Sequence, residues 1–390
     1  IGRGHFALQA LHHVDHAADG AGGRAGRVAG HGAQVGHGME GAVKVAGAVD
    51  QQQCFGFTHS VQLCPTTMCE LFNPLAVMAV FTEVSESSAQ ELLTQLKLGE
   101  LVELKGIQGG IENTNYFVNT STGRFVLTLF EKLKAEDLPF YLGLMKHLAK
   151  KGLAVPGPIP NGQGELFNAL NGKPATLVNC LSGKSVEYPN AIQCREIGKF
   201  CAQAHLAVAD FPGNTPNPRG LAWIESAMNA LDSHLPASVR ELLHSEVNHQ
   251  KAVAERHAYK ILPKGAVHAD LFRDNALMQG DALGGVIDFY FAGVDTFLFD
   301  LAVTANDWCI QLSTGELNPE LLGALLDGYQ SERPLSAHEC ELWQDMLRAA
   351  GLRFWASRLY DFYMPREAEV LNVKDPKHFE RVLLARRQGI

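Results

Sequence analysis

The chain has 390 residues, 46% of them hydrophobic, enough to bury a sizeable core spread over two or three domains. Its formal net charge of −9 excludes the basic footprint of a nucleic-acid binder and mainly favours solubility. No apolar run approaches the ~18 residues of a membrane span, and eight scattered cysteines without a C-x-x-C pair argue against a zinc ribbon or disulfide framework and for a reducing cytoplasm.

Residues 1–77 differ from the rest. Gly, Ala and His dominate, Tyr and Trp are missing, and no period of 2 or 3.6 is sustained. So little large apolar surface cannot offset the entropy of ordering. A His-rich metal tract or a transit peptide fits poorly, and the expectation is disordered sequence upstream of a start at Met78.

From Met78 the pattern changes. Ser85 to Leu98 predicts an amphipathic helix, with N-cap hydroxyls at Ser85 and Ser88, Glu91 three residues after Ser88, and Leu92, Leu93 and Leu96 on one face. Strands follow around Val102–Leu104, over Ile111–Asn119 and over Arg124–Phe130, joined by turns at Gly109-Gly110 and Gly123, which reads as an antiparallel meander. A helix is expected over Glu136–Lys151, stopped by Gly152, then short strands around 164–167 and 175–178. Residues 181–185 read as a linker between lobes, because Gly183-Lys184-Ser185 lacks the earlier glycine of a phosphate loop.

Helices dominate from Asn190. Ile192–Ala209 turns Ile197, Phe200, Cys201, Ala204 and Leu206 inward, and His205 reads as a hydrogen-bonded core histidine. Asn214–Pro218 is a loop, Trp223–Leu231 and Ser238–His257 are two further helices, and the chain after Phe299 is helical to Arg387, with Asp300 a candidate cap.

Between these helices lies His268-Ala269-Asp270-Leu271-Phe272-Arg273-Asp274-Asn275, followed by Val286-Ile287-Asp288-Phe289. H-x-D-x-x-x-x-N is the spacing of a phosphoryl-transfer loop, in which the Asp takes the proton of an attacking hydroxyl and the Asn holds Mg²⁺. Asp288 supplies a second oxygen ligand to that cation. His268 reads as a residue that holds the loop rather than as a rival base. The bland alternative is a buried polar turn in another kind of enzyme.

Together these stretches resemble the aminoglycoside phosphotransferase and choline kinase-like family, which implies an α+β fold with two protein-kinase-like lobes. The small antiparallel N-lobe would span 78–180 and bind the nucleotide. The larger, mainly helical C-lobe would span 181–390 and carry catalysis and the acceptor. Gly109-Gly110-Ile111-Glu112-Asn113-Thr114-Asn115-Tyr116, Phe125 to Lys132, Phe299-Asp300-Leu301-Ala302, Asn306-Asp307-Trp308-Cys309 and Arg353-Phe354-Trp355 before Ser357-Arg358 look like the bacterial homoserine kinases of that fold.

The resemblance implies Asp270 as catalytic base, Asn275 and Asp288 as Mg²⁺ ligands, and Gly109, Gly110, Asn113, Asn115 and Lys132 at the ATP. It places adenine against 178–183. Relatives often carry a basic residue in the third strand, where this chain has Thr128. Either Lys132 or Lys134 reaches back, or magnesium and backbone amides meet the phosphate charge. Asp307, Arg353 and Arg358 are candidates for the ammonium and carboxylate of L-homoserine, since guanidinium forks suit carboxylates, although ordinary salt bridges explain them equally well. The expected activity is ATP-dependent phosphorylation of the L-homoserine hydroxyl, a step toward threonine, in the cytoplasm and without nucleic-acid or membrane partners. A choline or aminoglycoside kinase of the same fold, or a non-catalytic nucleotide-binding protein, are the alternatives. A protein beginning at Met78 should fold and turn over like the full chain, and a loss of activity in that protein would refute the reading of residues 1–77.

Overall fold

The structure is a computed structural model that describes residues 82–107, 113–365 and 374–389. Residues 1–77, Met78 and the Gly109-Gly110 turn lie outside the described residues.

The first helix, α1 (Glu86–Leu96), starts at Ser85, whose hydroxyl accepts the Ser88 N–H at 3.1 Å. The reciprocal glutamate is not used, because Ser88 occupies the third helical position that Glu91 was expected to fill relative to a later cap. β1 (Leu101–Gly106), β2 (Asn113–Thr120), β3 (Arg124–Phe130), β4 (Asn168–Leu170) and β5 (Lys173–Asn179) form one antiparallel sheet in the order β1-β2-β3-β5-β4. The fourth strand therefore begins just after the 164–167 stretch where sequence placed it; Gly164, at φ +87°, belongs to the turn before it.

Strand alternation divides the sheet into two faces. Tyr116, Val118, Leu127, Leu129 and Leu177 pack under Leu92, Leu93 and Leu96 of α1 as a separate small core. Phe130 and Val178 join the main core, with Val126 packed against it, and Thr128 shares their side of β3. α2 (Leu138–Lys150) then buries Leu138, Leu142, Met145 and Leu148 against that core.

The lobe connection is not a loose linker. Lys184 pairs with Met278 through N–H···O bonds of 3.0 and 2.8 Å, and a Cβ on Gly183 would lie 2.9 Å from the Met278 carbonyl oxygen.

The second lobe contains α3 (Ala191–Ala207), α4 (Leu221–Leu231), α5 (Ala237–Glu255), α6 (His257–Lys260), α7 (Phe297–Trp308), α8 (Pro319–Glu332), α9 (Ala337–Tyr363) and α10 (Lys377–Arg387). Leu206, expected inward on α3, is 50% exposed, because it lies off the face that buries Ile197, Cys201 and His205. Two short pairs escaped the helical reading: β6 (Lys264–Val267) with β9 (Gly293–Thr296), and β7 (Ala276–Gln279) with β8 (Ala282–Val286). Strands of four or five residues leave too little periodicity to identify.

α7 is capped by Thr296, which accepts from the Phe299 N–H at 3.3 Å; Asp300, proposed as its cap, lies inside the first turn. α3 and α8 cross at two glycines. A Cβ on Gly198 would meet the Leu325 carbonyl at 2.1 Å, and one on Gly328 the Arg195 carbonyl at 2.1 Å. Overpacking against backbone is expensive, so Gly198→Ala and Gly328→Ala should each cost about 1–3 kcal/mol. Urea unfolding checks this, and wild-type stability in both variants would refute the close crossing.

Candidate active site

β6 delivers the chain into His268 and β7 receives it after Asn275, so each end of the loop is pinned by a strand pair. Inside the loop the backbone is forced. Ala269 takes φ +61°, a left-handed conformation disfavoured for a residue with a Cβ. It is held there by Asp300, whose Oδ1 accepts the Ala269 N–H at 2.6 Å.

Asp300 is buried at 2% exposure, and its Oδ2 receives a 2.9 Å bond from Nε2 of buried His205. Burial pushes its acidity down, but the His205 bond and charge and the Ala269 N–H outweigh that and hold its pKa below the usual carboxylate value. His205 Nδ1 meets the Tyr329 hydroxyl at 2.9 Å, which accepts from Arg333 at 2.9 Å, and Arg333 pairs with buried Glu339 at 2.8 Å. The expectation of a hydrogen-bonded core histidine matches this arrangement. Cys201 completes a Cys-His-Asp cluster of metal-ligand type, yet its donors and acceptors are engaged within the protein.

His268 fastens the loop to the segment bearing Asp288. Its Nδ1 accepts the Asp270 N–H at 3.2 Å, so Nε2 carries the proton donated to the Ile287 carbonyl at 3.0 Å. Ile287 N–H returns a 2.9 Å bond to the Asn275 carbonyl. Asn275, 9% exposed, donates Nδ2 to the Asp270 carbonyl at 2.8 Å and to its Oδ2 at 3.2 Å. With Nδ2 spent there, Oδ1 is the atom Asn275 can offer a cation. Asp288, exposed and at φ +64°, could offer a second oxygen. An amide oxygen and a carboxylate make a hard donor set, which fits a divalent cation of the Mg²⁺ or Ca²⁺ type.

Asp270 keeps 17% of its side chain exposed, and burial raises its pKa to about 6, with Asp274 adding to the rise and Arg353 opposing it. Arg353 NH2 lies 3.8 Å from Asp270 Oδ1, an ion pair without hydrogen-bond contact. Burial lowers the Arg353 pKa to about 10; Asp270 opposes this, while Arg219 and Arg358 add to it. The guanidinium lies 3.7 Å above the Phe354 ring, and its buried Nε has no hydrogen-bond partner among the described residues. Arg358 is also lowered by burial, against the pull of Asp361, Asp270 and Asp274.

Asp307, a candidate for the acceptor ammonium, is engaged within the protein. It binds Arg273 of the loop by the N–H at 2.8 Å, Nε at 2.9 Å and NH2 at 3.2 Å. Its neighbours do similar work: Trp308 donates to the Leu271 carbonyl at 3.2 Å, and Asn306 joins the Leu347 carbonyl to Arg386 through bonds of 2.8 Å each. The Asn-Asp-Trp stretch therefore braces the loop and α10.

Under the N-lobe sheet, Thr128 pairs in register with Asn115 and Thr176 and donates to Asn115 Oδ1 at 2.7 Å. Tyr290, two residues past Asp288, comes close to Thr128, and its ring packs edge-on against Phe130 at 5.0 Å. Burial raises the Tyr290 pKa and keeps the phenol neutral. Where a cation was expected, β3 presents neutral Thr128 with the Tyr290 side chain of the Asp288 segment beside it. Lys132 is exposed past the strand, and Lys134 pairs with Glu136 at 3.5 Å. Lys173 pairs with Glu131, which also accepts from Thr114 at 2.7 Å. Asn113 opens β2, and Gly109 and Gly110 lie outside the described residues.

Sequence reasoning missed Asp300 as the loop anchor, Arg273 and Tyr290. Only Tyr290 carried a local signal, its position two residues after Asp288.

The profile of the phosphotransferase enzyme family matches residues 103–337. A homoserine kinase of Janthinobacterium sp. (strain Marseille) is 51% identical over 309 residues, covering 79% of this chain and 96% of that protein. A homoserine kinase of Cupriavidus taiwanensis is 51% identical over 318 residues, 79% and 95% of the two chains. Among solved structures, an amicoumacin kinase in complex with AMP-PNP and Ca²⁺ aligns with TM-score 0.57 at 14% identity, over 78% of this chain and 94% of that one. A choline kinase from Streptococcus pneumoniae aligns with TM-score 0.55 at 14% identity, over 78% and 99%. At that identity the structural matches establish the fold: two lobes of the protein-kinase-like type, as the sequence implied.

The raised Asp270 pKa has a stability consequence with a definite sign. An acid whose folded pKa lies above its unfolded value of 3.8 binds its proton more tightly in the native state. Stability therefore falls as pH rises between 3.8 and about 6, and the cost is complete above that window. Asp270→Asn should melt at a higher temperature than wild type near neutral pH, with the gap closing as pH falls through the window. A thermal-melt series across pH checks this, and a pH-independent gap would contradict it.

Proposed function

The chain belongs to the phosphotransferase enzyme family, and from that premise we infer that it transfers the γ-phosphoryl group of ATP to the side-chain hydroxyl of L-homoserine. The products are ADP and O-phospho-L-homoserine, an intermediate on the way to threonine. The observation that carries this reading is the near-full-length match, at half identity, to proteins named homoserine kinase. The chain is an enzyme with a small-molecule substrate, ATP as phosphoryl donor and a requirement for a divalent metal.

The chemistry follows from the geometry. Phosphoryl transfer needs an attacking hydroxyl held in line and charge to balance the transferring group. Asp270 orients the acceptor hydroxyl and receives its proton as the new O–P bond forms and the bond to the ADP oxygen breaks. Its carboxylate is restrained by Asn275 at 3.2 Å, and its backbone by Asp300 and His268 on either side. With a pKa of about 6 it is ionised at neutral pH and close enough to neutrality to accept a proton in the transition state. A divalent ion, Mg²⁺ in this reading, neutralises phosphate charge when bound. Asn275 Oδ1 and Asp288 are the residues that would hold it.

Gly109 and Gly110 would offer backbone amides to the phosphates, Asn113, Asn115 and Lys132 polar groups nearby, and the 178–183 strip an edge for adenine. Arg353 and Arg358 would meet the acceptor carboxylate. The buried guanidinium of Arg353 beside Asp270 disfavours choline and polycationic aminoglycosides, because a second cation there would be repelled. Among the described residues no helix is long and apolar enough to cross a membrane.

A coupled ADP-release assay over homoserine, choline, methylthioribose and kanamycin tests the acceptor, with homoserine expected to be preferred. In the same assay Asp270→Asn should lower turnover by about 10²-fold or more while ATP still binds. Near-wild-type turnover in that variant would remove Asp270 from the role of base.

A further inference from the structure

We propose that Arg219, on the loop between α3 and α4, is a specificity-determining residue that clasps the acceptor carboxylate together with Arg353. This rests on the acceptor being L-homoserine and adds the residue that distinguishes an amino acid from an amino alcohol.

The loop that carries Arg219 is built to hold it still. Val294 N–H donates to the Thr215 carbonyl at 2.7 Å and Asn217 N–H to the Val294 carbonyl at 3.3 Å, so the loop runs as an added strand beside β9. The Asn217 side chain works in both directions. Its Nδ2 donates to Asp295 Oδ2 at 2.8 Å, and its Oδ1 accepts the Arg219 N–H at 2.9 Å, an Asx turn that fixes the arginine backbone. Close approach depends on Gly293, where a Cβ would lie 2.5 Å from Asn217 Cα. Gly220 then starts α4 directly behind the arginine.

The guanidinium is placed as firmly as the backbone. It lies 4.1 Å above the Trp223 ring and 5.9 Å from the Phe291 ring centre. Arg353 lies 5.5 Å from that same Phe291 ring. One aromatic ring, three residues after Asp288, thus has two guanidiniums about it, and Arg353 is 3.8 Å from the catalytic carboxylate.

Burial depresses the protonation of Arg353, and the charges of Arg219 and Arg358 add to the effect. Asp270 and Asp361 bear on Arg353, yet its buried Nε has no acceptor among the described residues. Leaving a buried charged donor unmet is costly, and a planar anion between two forks would meet it. A carboxylate bound by Arg353 would lie close to Asp270, whose Oδ1 is 3.8 Å from that guanidinium. The transferring phosphoryl group is the other anion that could answer such a cluster, and the two make opposite predictions.

The test compares L-homoserine with its decarboxylated counterpart, aminopropanol, as acceptors for the full-length wild type, Arg219→Gln and Arg219→Lys. Melting temperatures confirm that each variant folds. If Arg219 binds the carboxylate, Arg219→Gln lowers the ratio of kcat/KM for homoserine over aminopropanol by roughly 10- to 100-fold, mostly through KM for homoserine. Arg219→Lys, which keeps the charge and loses the fork, falls between. An unchanged ratio, with both acceptors slowed alike, overturns the proposal and moves Arg219 to the phosphoryl group. A wild-type enzyme that prefers aminopropanol to homoserine would instead overturn the acceptor assignment, and this proposal with it.

Discussion

The 2.6 Å bond from the Ala269 N–H to the buried carboxylate of Asp300 is the constraint on which the active site depends. A left-handed alanine between His268 and Asp270 carries a steric cost that the loop cannot meet by itself. An ionised acceptor inside the protein, kept ionised by His205, supplies the compensation. The further links through Tyr329 and Arg333 to Glu339 extend that anchoring to the start of α9, the helix that carries Arg353 and Arg358. Base and proposed acceptor groups therefore rest on one connected set of buried polar contacts. Its members satisfy one another, which is the condition for such a set to rigidify rather than weaken a core.

The rest of the loop is braced from α7. Asp307 grips Arg273 and Trp308 holds the Leu271 carbonyl, while Asn306 reaches α9 and α10. The Asn-Asp-Trp stretch, singled out for its resemblance, clamps the loop through these contacts. In β3 the neutral Thr128, bonded to Asn115 and close to Tyr290, stands where a charged residue was expected.

How much of this was legible in the sequence follows the range of each interaction. The proposed base and the two proposed oxygen donors lie within one loop and the segment after it, so spacing alone grouped Asp270, Asn275 and Asp288. The meander of β1–β3, the capped α1 and the long helices rest on periodicity and local caps, and each was found within a few residues. The four-residue strands beside the loop were not, since their pairing partners lie up to 32 positions away, as Lys264 and Thr296 do. Asp300 was mistaken for a cap for the same reason: its proper partner is 31 residues back.

By itself, then, the sequence determined the two-lobed architecture, the candidates for phosphoryl transfer and, through its resemblance, the expected acceptor. These are encoded in short-range patterns, where neighbours in the chain are neighbours in space. Only the tertiary structure decided that Asp307 braces the loop, that Tyr290 comes close to Thr128, and that Arg219 and Arg353 lie 5.9 and 5.5 Å from the Phe291 ring centre. A charged side chain shows the same letter whether it faces a salt bridge or a ligand, and what separates the two is the partner the fold brings to it.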